Sequence, residues 1–178
     1  MKNIVFIGFM ATGKTSVAKK TAEILGKRYM STDEMIVEKC GKEIPKIFEE
    51  YGEQLFRKIE KEVVKEVAKM EGVIIDCGGG VVLDKDNIRA LKERGIIFLL
   101  QAKPETIFER SLKDRGTRPL LGTNYSIKEV EELLTKRRSY YLEAADYIID
   151  TTEKNVEEVV SKVIEILGDR VECCDKEE

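Results

Sequence analysis

The chain of 178 residues contains no histidine. That absence excludes a Ser-His-Asp or Cys-His nucleophilic site and every zinc site that needs imidazole. Any general base is left to a carboxylate, or to a less usual group such as Lys, Tyr or Cys. Cysteine is scarce, and the four present (Cys40, Cys77, Cys173 and Cys174) show no C-x-x-C spacing. Cys173 and Cys174 stand side by side in a polar tail and read as solvent-exposed thiols rather than as a metal site. No apolar run approaches the ~18–20 residues needed to cross a membrane. The N-terminus runs directly into a first strand and leaves no room for a signal peptide, so the expected location is cytoplasmic. Basic residues are not in excess: 31 Lys and Arg against 34 Asp and Glu give a formal net charge of −3 and a pI of about 5.4. No nucleic-acid partner is expected from that balance. Charge of both signs is plentiful, at 37% of residues, which suits a soluble protein and is a pattern enriched in heat-adapted ones. On a prior of about 150 residues per domain, one domain is expected over residues 1–168, followed by a charged, mobile tail over 169–178.

The chain is organised around Gly8-Phe-Met-Ala-Thr-Gly-Lys-Thr-Ser16. An apolar run (Ile4, Val5, Phe6, Ile7) precedes it, and apolar residues at helical spacing (Val17, Ile24, Leu25) follow. Strand, glycine loop and helix with G-x-x-x-x-G-K-T across the junction form a phosphate-binding P-loop. Gly8 and Gly13 let the backbone curl so that successive N–H groups face one concavity. The positive end of the following helix adds to it. Lys14 supplies a point charge for the β- and γ-phosphates, and the Thr15 hydroxyl is a ligand for Mg²⁺.

Periodicity places a helix from about Lys14 to Leu25, stopped by Gly26, and a short strand from Arg28 to Met30. A helix then runs to about Glu38, capped by Thr32 or Asp33. A short helix over Ile44 to Tyr51 is separated by Gly52-Glu53 from a long one carrying Phe56, Ile59, Val63, Val67 and Met70. Val73 to Cys77 reads as a buried strand closed by Gly78-Gly79-Gly80. Three glycines at a strand's C-terminal end indicate a sharp bend or the close approach of a ligand, and ligands gather there in open α/β sheets. Ile88 and Leu91 mark a short helix, Ile96 to Leu100 a fourth strand, and Pro104 the first turn of a helix carrying Ile107, Phe108 and Leu112. Periodicity stops over about 113–125, where glycines and positive charge suggest a lid. Ser126-x-x-Glu129 is a capping box for a helix to about Ala144. Tyr147 to Ile149 is a fifth strand, and a last amphipathic helix ends at Gly168. Strands alternating with helices mean an α/β fold: a parallel sheet with helices on both faces, in three α/β/α layers.

A P-loop indicates a nucleoside triphosphate without saying what is done with it. The guanine-reading Asn-Lys-x-Asp of a GTPase is absent, and Asp76-x-x-Gly79 matches D-x-x-G only weakly. A motor ATPase is larger. A small kinase fits the length; it needs a lid carrying arginine and a second pocket for the acceptor. Asp33, Arg57, the Gly78–Gly80 turn and Arg137 are candidates for that pocket. Asp33 could take a proton from an attacking hydroxyl, while Arg57 and Arg137 could hold an anionic acceptor by paired hydrogen bonds. Taken singly, each has a plainer explanation, as a helix cap or a solvated helix residue.

Further motifs complete the pattern: Thr32-Asp33; Gly52-Glu53-x-x-Phe56-Arg57-x-x-Glu60; Gly78-Gly79-Gly80; Arg118-Pro119-Leu120-Leu121; and Arg137 followed by Tyr141 and Ala145-Asp146. In this order, with the P-loop, they make the chain resemble the shikimate kinases over about residues 3–167. The resemblance implies ATP-dependent phosphorylation of the shikimate 3-hydroxyl on the way to chorismate and aromatic amino acids. It also implies a five-stranded sheet in the order 2-3-1-4-5, as in nucleoside monophosphate kinases, with a lid that closes on binding. Carried over, Asp33 binds shikimate hydroxyls and orients or deprotonates the acceptor. Arg57 and Arg137 pair with the carboxylate, Gly78, Gly79 and Gly80 meet the ring, and Glu60 holds Arg57. ATP is held by Ala11, Thr12, Gly13, Lys14, Thr15 and Ser16, with Arg118 closing over the phosphates and Arg110 flanking the adenine. Asp33, Lys14 and Arg118 form the catalytic set, and a monomer acting on a small molecule is expected.

The chain departs from the family pattern twice. The family usually has Asp-Thr-Asp before the second helix, the first Asp supporting Mg²⁺ through water; here the residues are Ser31-Thr32-Asp33. Asp76, at a position often not acidic in the family, is the candidate to supply the missing charge, so Thr15 and Asp76 are the expected metal residues. Weakened metal binding is the competing reading. After the fifth strand, where the family often has a basic residue and proline, Lys154-Asn155-Val156 leaves the adenine contacts open.

Overall fold

The computed structural model describes residues 2–113 and 126–174, the last six as backbone. Among them, β1 (Asn3–Ile7), β2 (Tyr29–Ser31), β3 (Ile74–Asp76), β4 (Gly95–Gln101) and β5 (Tyr147–Asp150) form one sheet in the order β2-β3-β1-β4-β5. Every neighbouring pair is parallel. The expected strand order is thus the observed one. Between the strands run α1 (Lys14–Leu25), α2 (Thr32–Cys40), α3 (Ile44–Ala68), α4 (Lys85–Arg94), α5 (Pro104–Lys113) and α6 (Ile127–Ala144), with α7 (Val156–Cys174) last.

Strand alternation sorts the core into two layers. Ile4 and Phe6 of β1, with Ile74, Phe98 and Leu100, pack on Val17 and Ala18 of α1 and Val159, Val160 and Val163 of α7. Val5 and Ile7, with Ile75, Ile97 and Leu99, face Val64 and Val67 of α3, Leu91 of α4, Ile107 of α5 and Val130 of α6. Both faces of the sheet are covered, which is why its strands read as unbroken apolar runs. A smaller cluster of Ile36, Ile47, Phe56 and Val63 packs α2 against α3. No helix among the described residues is long and apolar enough to cross a membrane.

The local signals act as their chemistry requires. Gly26 ends α1 in the left-handed region, with φ 60°. Gly52, at φ 76° and ψ 170°, breaks α3 at the point where two helices are expected from the sequence. Ser126 and Glu129 form a reciprocal capping box, as do Asn155 and Glu158 at the head of α7. Beside one-residue shifts at the ends of β2 and β3, three details differ from expectation. The cap of α2 is Ser31, whose hydroxyl accepts from the Glu34 N–H at 3.2 Å, and not Thr32 or Asp33. A 3₁₀ turn, Val81–Leu83, follows the triple glycine. Finally, α7 continues through Gly168 to Cys174; an interior glycine costs about 1 kcal/mol, too little to stop a helix already docked along Val156–Val163.

Candidate active site

The P-loop leaves β1 over the C-terminal end of the sheet. Gly8 has φ 147°, and a Cβ there would strike the carbonyl oxygen of Leu100 on the neighbouring strand, so only glycine fits. Gly13 (φ 92°) is the N-cap of α1 and offers no side-chain cap, and the first turn of α1 contains no acidic residue. The N–H groups there are left to an anionic ligand. Thr12 Oγ1 donates to Phe9 O at 2.8 Å and Lys14 Nζ to the same carbonyl at 2.9 Å. Ala11 is the one non-glycine residue with positive φ (56°) among the described residues. Its carbonyl faces Arg110 Nη1 at 3.5 Å. Arg110 also donates to Thr151 O at 2.6 Å and Thr151 Oγ1 at 3.1 Å, tying α5 to the loop after β5. A cleft of about 540 Å³ opens beside the P-loop, lined in part by Ala11, Gly13, Arg110, Thr151, Asn155 and Val156.

Behind the P-loop, Thr15 Oγ1 donates to Asp76 Oδ2 at 2.6 Å. Asp76 ends β3 opposite Ser31 of β2 and is 4% exposed. A hydroxyl and a carboxylate side by side at the P-loop are hard oxygen donors of the kind that holds magnesium alongside substrate phosphates, so these two residues fit that ion. Thr32 bridges the two strands: its hydroxyl donates to Asp76 O at 3.4 Å and accepts from Gly78 N at 3.0 Å.

Each glycine of the triplet receives a different functional side chain. A Cβ on Gly78 would lie 2.5 Å from Asp33 Oδ1. The Gly79 carbonyl accepts from Tyr141 Oη at 2.6 Å and faces Arg137 Nη1 at 3.5 Å. A Cβ on Gly80 would lie 2.6 Å from Arg57 Cζ and would collide with both terminal nitrogens of that guanidinium. Gly78 and Gly80 leave no room for a Cβ because Asp33 from α2 and Arg57 from α3 press on them, whereas a Cβ on Gly79 would meet nothing nearer than 3.5 Å; there Arg137 and Tyr141 from α6 reach the carbonyl instead. Asp33, Arg57 and Arg137 are thereby brought together.

Arg57 donates to Glu60 Oε2 at 2.8 Å and, through Nη2, to Glu53 Oε1 at 3.1 Å. Glu60 is 1% exposed and Arg137 6%, so neither is a solvated helix residue. Burial raises the pKa of Asp33, with the Lys14 charge pulling it down and Asp76 pushing it up again. Burial also raises Glu60, opposed by Arg57. Burial disfavours the charge on Arg57, but Glu60 and Glu53 outweigh it and hold the guanidinium firmly protonated. Tyr141 is pushed up to about 12 by burial, which keeps it a donor to Gly79. Tyr29 is likewise raised, by burial and by the Asp76 charge. Burial pushes the Cys77 thiol well above its ordinary value, making it unreactive.

The contacts of Tyr29, Thr32, Glu53 and Thr151 were not legible as site contacts in the sequence. Thr32 and Glu53 stand in the sequence as motif neighbours of Asp33 and Arg57, with Glu53 and Arg57 four apart on one helix, and nothing there signals the contacts of Tyr29 or Thr151. Arg118, the lid from 114 onward and the side chains of Cys173 and Cys174 lie outside the described residues.

A P-loop with an uncapped helix, a magnesium-type oxygen pair and a second pocket holding two arginines and a buried carboxylate define a small-molecule kinase. A shikimate kinase family profile matches residues 10–168. The shikimate kinase of Thermodesulfovibrio yellowstonii is 47% identical over 164 residues, 92% of this chain and 94% of its own. That of Caldanaerobacter subterraneus subsp. tengcongensis is 43% identical over 164 residues, 92% of this chain and 95% of its own. The solved structure of shikimate kinase from Acinetobacter baumannii in complex with shikimate matches with a TM-score of 0.90 at 32% identity, covering 96% of this chain and 94% of that one. Shikimate kinase from Aquifex aeolicus matches with a TM-score of 0.79, also at 32% identity. The chain belongs to the shikimate kinase family.

Proposed function

We propose that this protein transfers the γ-phosphoryl group of ATP to the 3-hydroxyl of shikimate, giving shikimate 3-phosphate and ADP in the route to chorismate and aromatic amino acids. The observation that carries this reading is the triple-glycine turn on which Asp33, Arg57 and Arg137 converge. Two guanidiniums suit the acceptor's carboxylate, and a carboxylate suits its hydroxyls. Asp33 accepts the proton of the attacking hydroxyl as the new oxygen–phosphorus bond forms. The bond from the γ-phosphorus to the β,γ-bridging oxygen breaks, and that oxygen leaves with ADP. Burial makes Asp33 a stronger base than a solvated carboxylate, which favours this proton transfer. Glu60 and Glu53 hold Arg57 over Gly80, and Tyr141 holds the Gly79 carbonyl beside Arg137.

The residues Ala11 to Ser16 cradle the ATP phosphates, with Lys14 at the β- and γ-groups and Arg110 beside the base. Arg118, on the lid over about 113–125, closes on the phosphates. Thr15 and Asp76 would hold magnesium, which when bound neutralises phosphate charge. We further propose a single kinase domain whose last helix, α7, runs to Cys174, acting as a cytoplasmic monomer without a nucleic-acid partner.

The test is coupled ADP release with ATP, Mg²⁺ and shikimate, beside reactions lacking an acceptor or offering a nucleoside monophosphate. Shikimate-dependent release supports the proposal. Turnover only with a nucleoside monophosphate assigns another kinase on the same scaffold, and nucleotide binding with no turnover assigns a non-catalytic module.

A further inference from the structure

Asp76 Oδ2 accepts from two hydroxyls, Thr15 Oγ1 at 2.6 Å and Tyr29 Oη at 3.0 Å. The proposed chemistry accounts for the first and not for the second. Tyr29 opens β2, where it pairs with Ile74, while Ser31 pairs with Asp76. Alternation sets Tyr29 and Ser31 on one face of the strand. Asp76 therefore joins the Tyr29 phenol of β2 to the Thr15 hydroxyl at the head of α1. The Tyr29 ring packs with the cluster that joins α1 to the sheet, and Lys19 Nζ of α1 lies 5.1 Å from its centroid. The ring is held between β2 and α1 with its hydroxyl on the carboxylate.

A carboxylate oxygen offers about two lone-pair directions. With both taken on Oδ2, the plane of the Asp76 carboxylate is set. We propose that Tyr29 is a positioning residue for the magnesium site: its hydroxyl orients Asp76 so that the Thr15–Asp76 pair is preformed for a hydrated divalent cation. This rests on reading Asp76 as a metal-site carboxylate. Groups that orient a metal ligand from behind are worth about 10- to 100-fold in metal affinity, whereas a phenol that only satisfies a buried acceptor affects stability and leaves metal affinity alone.

The experiment is calorimetric binding of ADP, with and without Mg²⁺, to wild type, Tyr29→Phe, Asp76→Asn and the double variant. The ratio of the two affinities reads the protein's own contribution to the metal, independently of turnover. Metal-free ADP affinity checks that each variant retains a folded P-loop. The expected result is a ratio lowered about tenfold or more in Tyr29→Phe, lowered at least as far in Asp76→Asn, and no lower in the double variant than in Asp76→Asn. A wild-type ratio in Tyr29→Phe beside a lowered one in Asp76→Asn overturns the role of Tyr29 and leaves Asp76 standing. Additive losses in the double variant also overturn it, because Tyr29 would not then act through Asp76. An unchanged ratio in Asp76→Asn overturns the reading of Asp76 itself.

Discussion

Gly80→Ala separates the acceptor pocket from the fold that carries it. Gly80 has φ −95° and ψ 0°, a conformation open to alanine, so the substitution introduces no backbone strain. The added Cβ would sit 2.6 Å from Arg57 Cζ, and the guanidinium must retreat roughly an ångström to reach ordinary van der Waals contact at 3.4 Å. That movement stretches its 2.8 Å bond to Glu60 and takes it off the turn that the shikimate carboxylate would approach. A charge-assisted hydrogen bond contributes about 1.5–3 kcal/mol, so its loss raises the KM for shikimate roughly 10- to 150-fold. Stability moves little. The reduced freedom of the unfolded chain contributes about 0.4–1 kcal/mol against a comparable loss in the Arg57–Glu60 pair, which keeps the melting temperature within about 4 °C of wild type. Coupled ADP release, varying shikimate at saturating ATP and then the reverse, measures both constants. An unchanged shikimate KM, or an equal rise in the two KM values, would refute the placement of Arg57.

Asp33→Asn lowers kcat about 10²- to 10⁴-fold, the usual range for a lost general base, yet raises the melting temperature at pH 7. Burial raises the Asp33 pKa on folding, so its ionisation opposes folding increasingly as pH rises from the unfolded through the folded value. The stability gain of the Asn variant therefore disappears in acid, below the ordinary carboxylate range, and melting curves across pH check the sign. In the wild type the same shift places the acidic limb of kcat above the ordinary carboxylate range near about pH 4. Tyr141→Phe removes the 2.6 Å bond to the Gly79 carbonyl and leaves that acceptor short of a buried partner. The expected cost is about 1–3 kcal/mol in stability by denaturant melting, with a rise in the KM for shikimate that exceeds any rise for ATP.

The P-loop was legible because its requirements are local: a strand, two glycines, a lysine and a helix within fourteen residues of chain, Asn3 to Ser16. The acceptor residues were legible one at a time, but not their convergence, which depends on α2, α3 and α6 meeting one turn. Contacts such as Tyr29 to Asp76 and Gly78 to Thr32 join residues 47 and 46 positions apart, and no helical or strand period spans such a gap. The misplaced cap of α2 has a functional side. Because β2 runs one residue further than its apolar pattern suggests, Ser31 reaches the register position opposite Asp76 and caps the helix. Asp33 is thereby released from capping and its carboxylate sits against Gly78. At the other end, Gly168 read as a stop because glycine favours that position, but a stop also needs the left-handed turn that Gly26 makes and Gly168, inside α7, does not.

The measurement that goes most directly to the central claim, that Arg57 and Arg137 form a carboxylate site on the glycine turn, is a calorimetric comparison of shikimate with its methyl ester. The ester keeps the ring and hydroxyls and removes the charge. With the carboxylate held by two guanidiniums, each contributing about 1.5–3 kcal/mol, wild type binds shikimate at least about a hundredfold tighter than the ester, and Arg57→Ala and Arg137→Ala each narrow that gap. Equal affinity for the two compounds in the wild-type protein would contradict the assignment.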